Sequence, residues 1–184
     1  MVNIADQTKR AIFLDRDGVI NRAVVRDGKP YPPASLEEFE LLPGVEVAAA
    51  ALRAAGFVLV VATNQPDVRM GIQRREVVEA MHDYVQMELG VDGIKVCYHV
   101  DEDCCFCRKP KPGMLLEAAI EHNIDLRRSF MVGDRWRDIG AGYAAGCETV
   151  LVSSNYEERQ PENPDIVVKS LHEAAKYIIK RYKE

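Results

Sequence analysis

The sequence predicts an α/β fold, a doubly wound and mostly parallel Rossmann-like sheet with helices on both faces. Two observations carry this expectation. Short apolar runs rich in Val, Ile and Phe alternate with longer segments of helical periodicity, the order produced when parallel strands are joined by crossover helices. Residues able to do chemistry follow the apolar runs directly, at what become strand carboxyl ends, where open α/β sheets bind ligands.

Taken in order, Ala11 to Leu14 is the first predicted strand. Asn21 to Pro43 then departs from regular structure, because Asp27-Gly28-Lys29-Pro30 and Tyr31-Pro32-Pro33 are turn and extended-chain chemistry; a loop excursion with a small hairpin, able to cover a site, is expected there. A helix over Val45 to Ala55 stops at Gly56, and a strand over Phe57 to Ala62 follows. The helix Ile72 to Leu89 stops at Gly90 and leads to a strand over Ile94 to Tyr98. A helix over Pro112 to His122 begins with a proline suited to the first turn. The strand Ser129 to Val132, the helix Trp136 to Ala145 and its terminal Gly146 come next, then strands over Thr149 to Val152 and Ile166 to Val168, and a helix over Leu171 to Tyr182. Glycine at each of the three helix ends can adopt the left-handed conformation that stops a helix.

A chain of 184 residues suffices for a single domain spanning 1–184. No apolar stretch approaches the roughly 20 residues of a membrane span. Met1 to Arg10 is polar and lacks the apolar centre of a secretory signal, which predicts a cytoplasmic protein. The net charge of -5 argues against general nucleic-acid or membrane-surface binding, so any anionic ligand must be met by a local group of cations. A monomer is expected.

Phe13-Leu14-Asp15-Arg16-Asp17-Gly18 runs from a strand into two carboxylates and a glycine. Asp134 follows another strand in Met131-Val132-Gly133-Asp134-Arg135, and Asp138 lies at the start of a helix. Magnesium takes oxygen ligands and keeps several waters, so Asp15, Asp134 and the backbone carbonyl of Asp17 form a sufficient set, with Asp138 a further candidate. Helix capping is the competing reading of Asp134 and Asp138. Thr63-Asn64-Gln65 offers a hydroxyl and amides at another strand end. Arg108 and Lys109 supply adjacent charges able to neutralise phosphate oxygens.

Four of the five cysteines lie in the segment 97–107. Cys97, His99, Cys105 and Cys107 make the donor set of a closed tetrahedral zinc site. The Cys-x-Cys spacing before Arg108 favours Cys105 over Cys104. Such a site leaves no open position for water, so zinc there would organise the loop that carries Arg108 and Lys109. Cys147 stands apart and reads as a small buried residue.

These motifs, in this order across nearly the whole chain, resemble the haloacid dehalogenase superfamily: Asp15-Arg16-Asp17-Gly18, Thr63-Asn64, Lys109, and Gly133-Asp134 with Asp138. The resemblance implies a phosphatase with Asp15 as nucleophile, Asp17 as general acid and base, Thr63 and Lys109 binding phosphate, and Asp134 ligating magnesium. A second acid at Asp17 suits a phosphate ester, whose leaving alkoxide needs a proton, and is pointless for a halide. Cys105-Phe106-Cys107-Arg108-Lys109-Pro110-Lys111-Pro112-Gly113-Met114, with Cys97-x-His99 upstream, resembles the zinc-containing branch without a large cap that includes heptose 1,7-bisphosphate and histidinol-phosphate phosphatases.

The substrate implied is a small phosphorylated metabolite, with a heptose bisphosphate favoured. Arg16, Asn64, Gln65, Arg26 and Arg135 are expected to contact it, with Arg26 and Lys29 meeting a second phosphate. Histidinol phosphate, a nucleic-acid 3′-phosphate and a non-catalytic phospholigand module are the alternatives. The chain departs from the branch after Gln65, where Pro66-Asp67-Val68-Arg69-Met70-Gly71 places Met70 at a usual arginine position. Arg135 likewise replaces a lysine common after the magnesium aspartate.

Overall fold

The computed structural model describes residues 8–182, so the reading of the polar amino terminus falls largely outside the described residues. Strand β1 (Arg10–Leu14) leads into the first strand-end loop. The hairpin of β2 (Val24–Arg26) and β3 (Lys29–Tyr31) is antiparallel and separate from the main sheet. Helix α1 (Val45–Ala54) and strand β4 (Phe57–Asn64) follow, then a single helical turn α2 (Pro66–Arg69), helix α3 (Arg75–Leu89) and strand β5 (Gly93–Cys97). The remaining elements are α4 (Gly113–His122), β6 (Phe130–Gly133), α5 (Trp136–Ala145), β7 (Glu148–Val152), β8 (Ile166–Val168) and α6 (Leu171–Arg181).

Six strands form one sheet in the order β5-β4-β1-β6-β7-β8, every neighbouring pair parallel. Strands buried on both faces explain the near-continuous apolar runs. In β1, Ile12 and Leu14 join the core under α1, α3 and α6, while Ala11 and Phe13 join the core under α4 and α5. In β4 the same alternation sends Phe57, Leu59 and Val61 one way and Val58, Val60 and Ala62 the other. The expected doubly wound sheet is therefore present, and the excursion after β1 holds a hairpin and not a large cap.

Two helix starts differ from expectation. The helix read as beginning at Ile72 begins at Arg75, after the turn at Gly71 (φ 70°), and a helical turn not expected from the sequence, α2, precedes it from Pro66, which needs no amide partner at a first helical position. Arg135, not Asp134, is the N-cap of α5, which frees the Asp134 carboxylate for another task. Gly56, Gly90 and Gly146 have φ of 84°, 57° and 83°, consistent with the helix stops expected of them.

Candidate active site and metal centres

The carboxyl ends of β1, β4 and β6 are adjacent in the sheet, and this brings Asp15, Thr63 and Asp134 together. They open onto a cleft of about 240 Å³ whose lining includes Asp15, Asp17, Tyr31, Thr63, Asp67, Arg108, Lys109, Arg135, Arg137 and Asp138. Asp15 is fixed by its own amide, which donates to Val132 O at 2.9 Å. Its Oδ1 accepts from the Arg16 amide at 2.7 Å and lies 2.9 Å from Lys109 Nζ. The same Nζ lies 2.6 Å from Asp138 Oδ1, and Asp138 Oδ2 accepts from the Arg135 amide at 2.9 Å. Asp138 thus closes the first turn of α5 and braces the lysine at once.

One oxygen from each of Asp15, Asp134 and Asp138 falls within 4.8 Å of the others, and all three residues are buried. Burial first, then the neighbouring Asp138, pushes Asp15 up to about 7, even against Lys109. Burial first, then Asp15 and Asp138, push Asp134 well up. Both Asp134 carboxylate oxygens are buried, and the Tyr156 hydroxyl beside them lowers the proton affinity by less than burial and the two carboxylates raise it. Three buried carboxylates facing a single ammonium leave negative charge uncompensated, and a divalent cation fits the oxygen donors present. Two glycines make room: a Cβ on Gly133 would lie 2.0 Å from Asp138 Cβ, and one on Gly18 (φ 92°) would lie 1.8 Å from Asp134 Oδ2.

The Asp17 carboxylate stands apart from this acidic group. Arg16 donates to it through Nε and Nη2 at 3.0–3.3 Å, Asn21 Nδ2 donates at 3.0 Å and Gln65 Nε2 at 2.7 Å. Burial would raise its proton affinity, but Arg16, Asn21 and Gln65 outweigh burial and hold it below the usual carboxylate range. Any metal contact of Asp17 must therefore come from its backbone carbonyl.

Four of the residues expected to contact substrate have side chains engaged elsewhere in this geometry. Arg16 is wholly buried, and its guanidinium is spent on Asp17 and on His82 Nε2 at 3.1 Å. Gln65 is buried too, bridging Asp17 and the Thr63 hydroxyl (2.9 Å). Asn64 borders the cleft, but both ends of its amide are used on the backbone of Lys109, each at 3.1 Å. Arg26 lies 5.9 Å over the Tyr31 ring, and it is Pro30, Tyr31 and Pro32 that the hairpin brings to the cleft, in place of Arg26 and Lys29. Arg135 does line the cleft, its guanidinium held by Glu158.

Sequence reasoning missed Arg137 and Asp101. Arg137 Nη1 and Nη2 donate to Asp101 at 3.0 and 2.9 Å, and Arg108 Nε donates to the same carboxylate at 2.8 Å. A signal was available: cations at the start of a helix oppose the macrodipole, so Arg135 and Arg137 at the head of α5 point to an anionic partner. Arg108 Nη1 is buried and without a hydrogen-bond partner.

At the end of β5 the second cluster unites Cys97, His99, Cys105 and Cys107 within 4.8 Å. Sulfur separations are 3.3–3.7 Å, and His99 Nδ1 lies 3.3 Å from Cys107 Sγ. A tetrahedron with Zn–S bonds of about 2.3 Å has edges of about 3.8 Å, so the donor set fits zinc. Cys104 is exposed, with φ 50° turning it outward from the cluster. Lys111 Nζ ties the Cys104 and Cys105 carbonyls at 3.1 and 2.7 Å, so the cluster leads directly into the chain carrying Arg108 and Lys109.

Residues 106–174 match the HAD-hydrolase-like family model. The chain is 37% identical over 164 residues to a D-glycero-β-D-manno-heptose-1,7-bisphosphate 7-phosphatase of Helicobacter pylori, covering 85% of this chain and 90% of the relative. It is 35% identical over 192 residues to the corresponding protein of Yersinia pestis, covering 96% and 99%. The chain belongs to the haloacid dehalogenase-type phosphatases of this branch. Among solved structures, the D,D-heptose 1,7-bisphosphate phosphatase of B. bronchiseptica, complexed with magnesium and phosphate, superposes with a TM-score of 0.77 at 32% identity, covering 94% of this chain and 99% of that one. As a haloacid dehalogenase-type phosphatase it is a phosphoric monoester hydrolase, and no helix among the described residues is long and apolar enough to cross a membrane.

Proposed function

We propose that the chain is a magnesium-dependent, single-domain phosphatase that removes the C7 phosphate of D-glycero-D-manno-heptose 1,7-bisphosphate through an aspartyl phosphate on Asp15. The observation that carries this reading is the pairing of two separate carboxylate environments. Asp15 stands beside Lys109 and the acidic cluster, while Asp17 is held apart by Arg16, Asn21 and Gln65.

Asp15, Asp134 and the Asp17 carbonyl would hold magnesium, which when bound would offset the charge of the incoming phosphate and of the carboxylates. Lys109 and Thr63 receive phosphate oxygens. An Asp15 carboxylate oxygen attacks phosphorus as the ester P–O bond breaks, and the leaving sugar oxygen takes a proton from Asp17. Water then attacks the acyl phosphate, gives its proton to Asp17, and releases inorganic phosphate and free Asp15. A phosphate dianion arriving beside Asp17 is what raises its proton affinity enough for the acid step.

The second phosphate is assigned to Arg108, Arg135 and Arg137, which together line the cleft; these also replace the arginine absent at Met70. The zinc site holds the backbone from which Arg108 and Lys109 project. The acidic composition supports action on a free metabolite in the cytoplasm.

Magnesium-dependent phosphate release from the heptose bisphosphate, its monophosphates, histidinol phosphate and nucleotides tests the reading. A kcat/KM for the bisphosphate at least about tenfold above the rest is expected. Equal rates across the panel would remove the substrate assignment, and preference for histidinol phosphate would replace it.

A further inference from the structure

We propose that His82 is a positioning residue for catalysis: as a hydrogen-bond acceptor on the inner face of α3, it sets the orientation of Arg16 and thereby of Asp17. The inference rests on the reading of Asp17 as general acid and base.

His82 lies in the middle of α3 on its buried side, with Val78, Met81 and Val85, and 66 residues beyond Arg16. Its Nε2 is 3.1 Å from Arg16 Nη1. A guanidinium has donors and no acceptor, so Nε2 must be the unprotonated ring nitrogen and the proton must sit on Nδ1. Burial first and then Arg16 depress the imidazole to about 4, in keeping with a neutral ring.

Arg16 is wholly buried and constrained on three sides. One side of the guanidinium meets Asp17, Nη1 meets His82, and the Phe39 ring lies 5.8 Å from Cζ. Deleting the acceptor at position 82 would leave an N–H of a buried cation without a partner, the costly case for a charged donor. The guanidinium would turn to seek another. Because Arg16 contributes three of the five donor contacts to the Asp17 carboxylate, that rotation would change the direction of the group that must give and take the proton. His82 is neither a cleft-lining residue nor a member of the acidic cluster, so its effect belongs to proton transfer and not to phosphate binding.

The test compares His82→Phe, which keeps an aromatic ring but no acceptor, with His82→Gln, whose Oε1 can reach the Nε2 position. With magnesium and the preferred sugar phosphate, His82→Phe is expected to lower kcat by about tenfold or more. KM and the inhibition constant for inorganic phosphate should stay within about twofold, and His82→Gln should recover most of the loss. In an Asp17→Asn background His82→Phe should add little. Should His82→Phe fail to fold, His82→Leu takes its place.

A kcat for the acceptor-lacking variant within about twofold of wild type would overturn the proposal. So would equal impairment of His82→Gln, or losses that add in full to those of Asp17→Asn when read on its residual turnover. An Asp17→Asn variant as active as wild type would instead overturn the premise about Asp17 itself.

Discussion

The ammonium group of Lys109 lies 2.9 Å from Oδ1 of Asp15 at the floor of the cleft, with both residues buried. The contact explains why a lysine is tolerated at the bottom of an α/β cleft: burial works against its charge, but Asp138 and Asp15 outweigh burial and raise its proton affinity. The same contact turns one Asp15 oxygen toward the lysine and leaves the other for attack.

Lys109→Met should therefore lose both activity and stability. Removing one member of a buried charge cluster costs about 3 to 5 kcal/mol, and loss of a charge that stabilises the transition state costs about 10²–10³ in kcat. Thermal melting and steady-state kinetics check both. Magnesium should restore part of the melting temperature, since a cation can replace the lost charge against the carboxylates, without restoring kcat.

Gly18→Ala should abolish magnesium-dependent turnover while the protein remains folded. The positive φ and the 1.8 Å approach to Asp134 Oδ2 mean that an added methyl displaces the Asp134 carboxylate. Isothermal titration with magnesium is expected to show binding weakened by at least about tenfold.

Zinc content separates Cys104 from Cys105. Cys105→Ser should lose the metal, lower the melting temperature and reduce kcat through disorder of the chain bearing Arg108 and Lys109. Cys104→Ser should keep about one zinc per chain and wild-type kinetics, as read by elemental analysis.

The acidic cluster imposes a pH dependence with a definite sign. Asp15 is raised from an ordinary value of 3.8 to about 7 without a cation, so between those limits the folded chain binds more protons than the unfolded one. The Asp15 contribution to stability of the magnesium-free, zinc-loaded protein, read as the difference from Asp15→Asn, should therefore fall as pH rises from about 4 to about 7, while the depressed His82 acts in the opposite direction in both proteins. Magnesium favours the ionised form, so its stabilising increment should grow over the same interval. Melting curves against pH, with and without magnesium, measure this.

Much of the fold was legible because its causes are local. The two-sided burial of β1, β4 and β6 makes apolar runs, and the helix-ending glycines carry a left-handed φ at the expected places. The metal donors were legible for the same reason, since strand ends and Cys-x-Cys spacing put Asp15, Asp134, Cys105 and Cys107 at fixed positions. What could not be read was the direction of side chains next to those positions. Arg16 and Gln65 are sequence neighbours of cleft residues, yet they point inward to Asp17. Arg16 does so because α3, distant along the chain, presents His82 as its partner. Likewise Asp101 gathers Arg108 and Arg137 across 36 residues, a pairing set by the sheet order and by no local pattern.

The nucleophile is tested most directly by rapid chemical quench during turnover, followed by borohydride reduction and peptide mass spectrometry. An aspartyl phosphate is reduced at the acyl carbon, so homoserine should appear at position 15, dependent on both substrate and magnesium and absent from Asp15→Asn. Phosphate release at the full rate with aspartate unmodified at that position throughout would contradict the account.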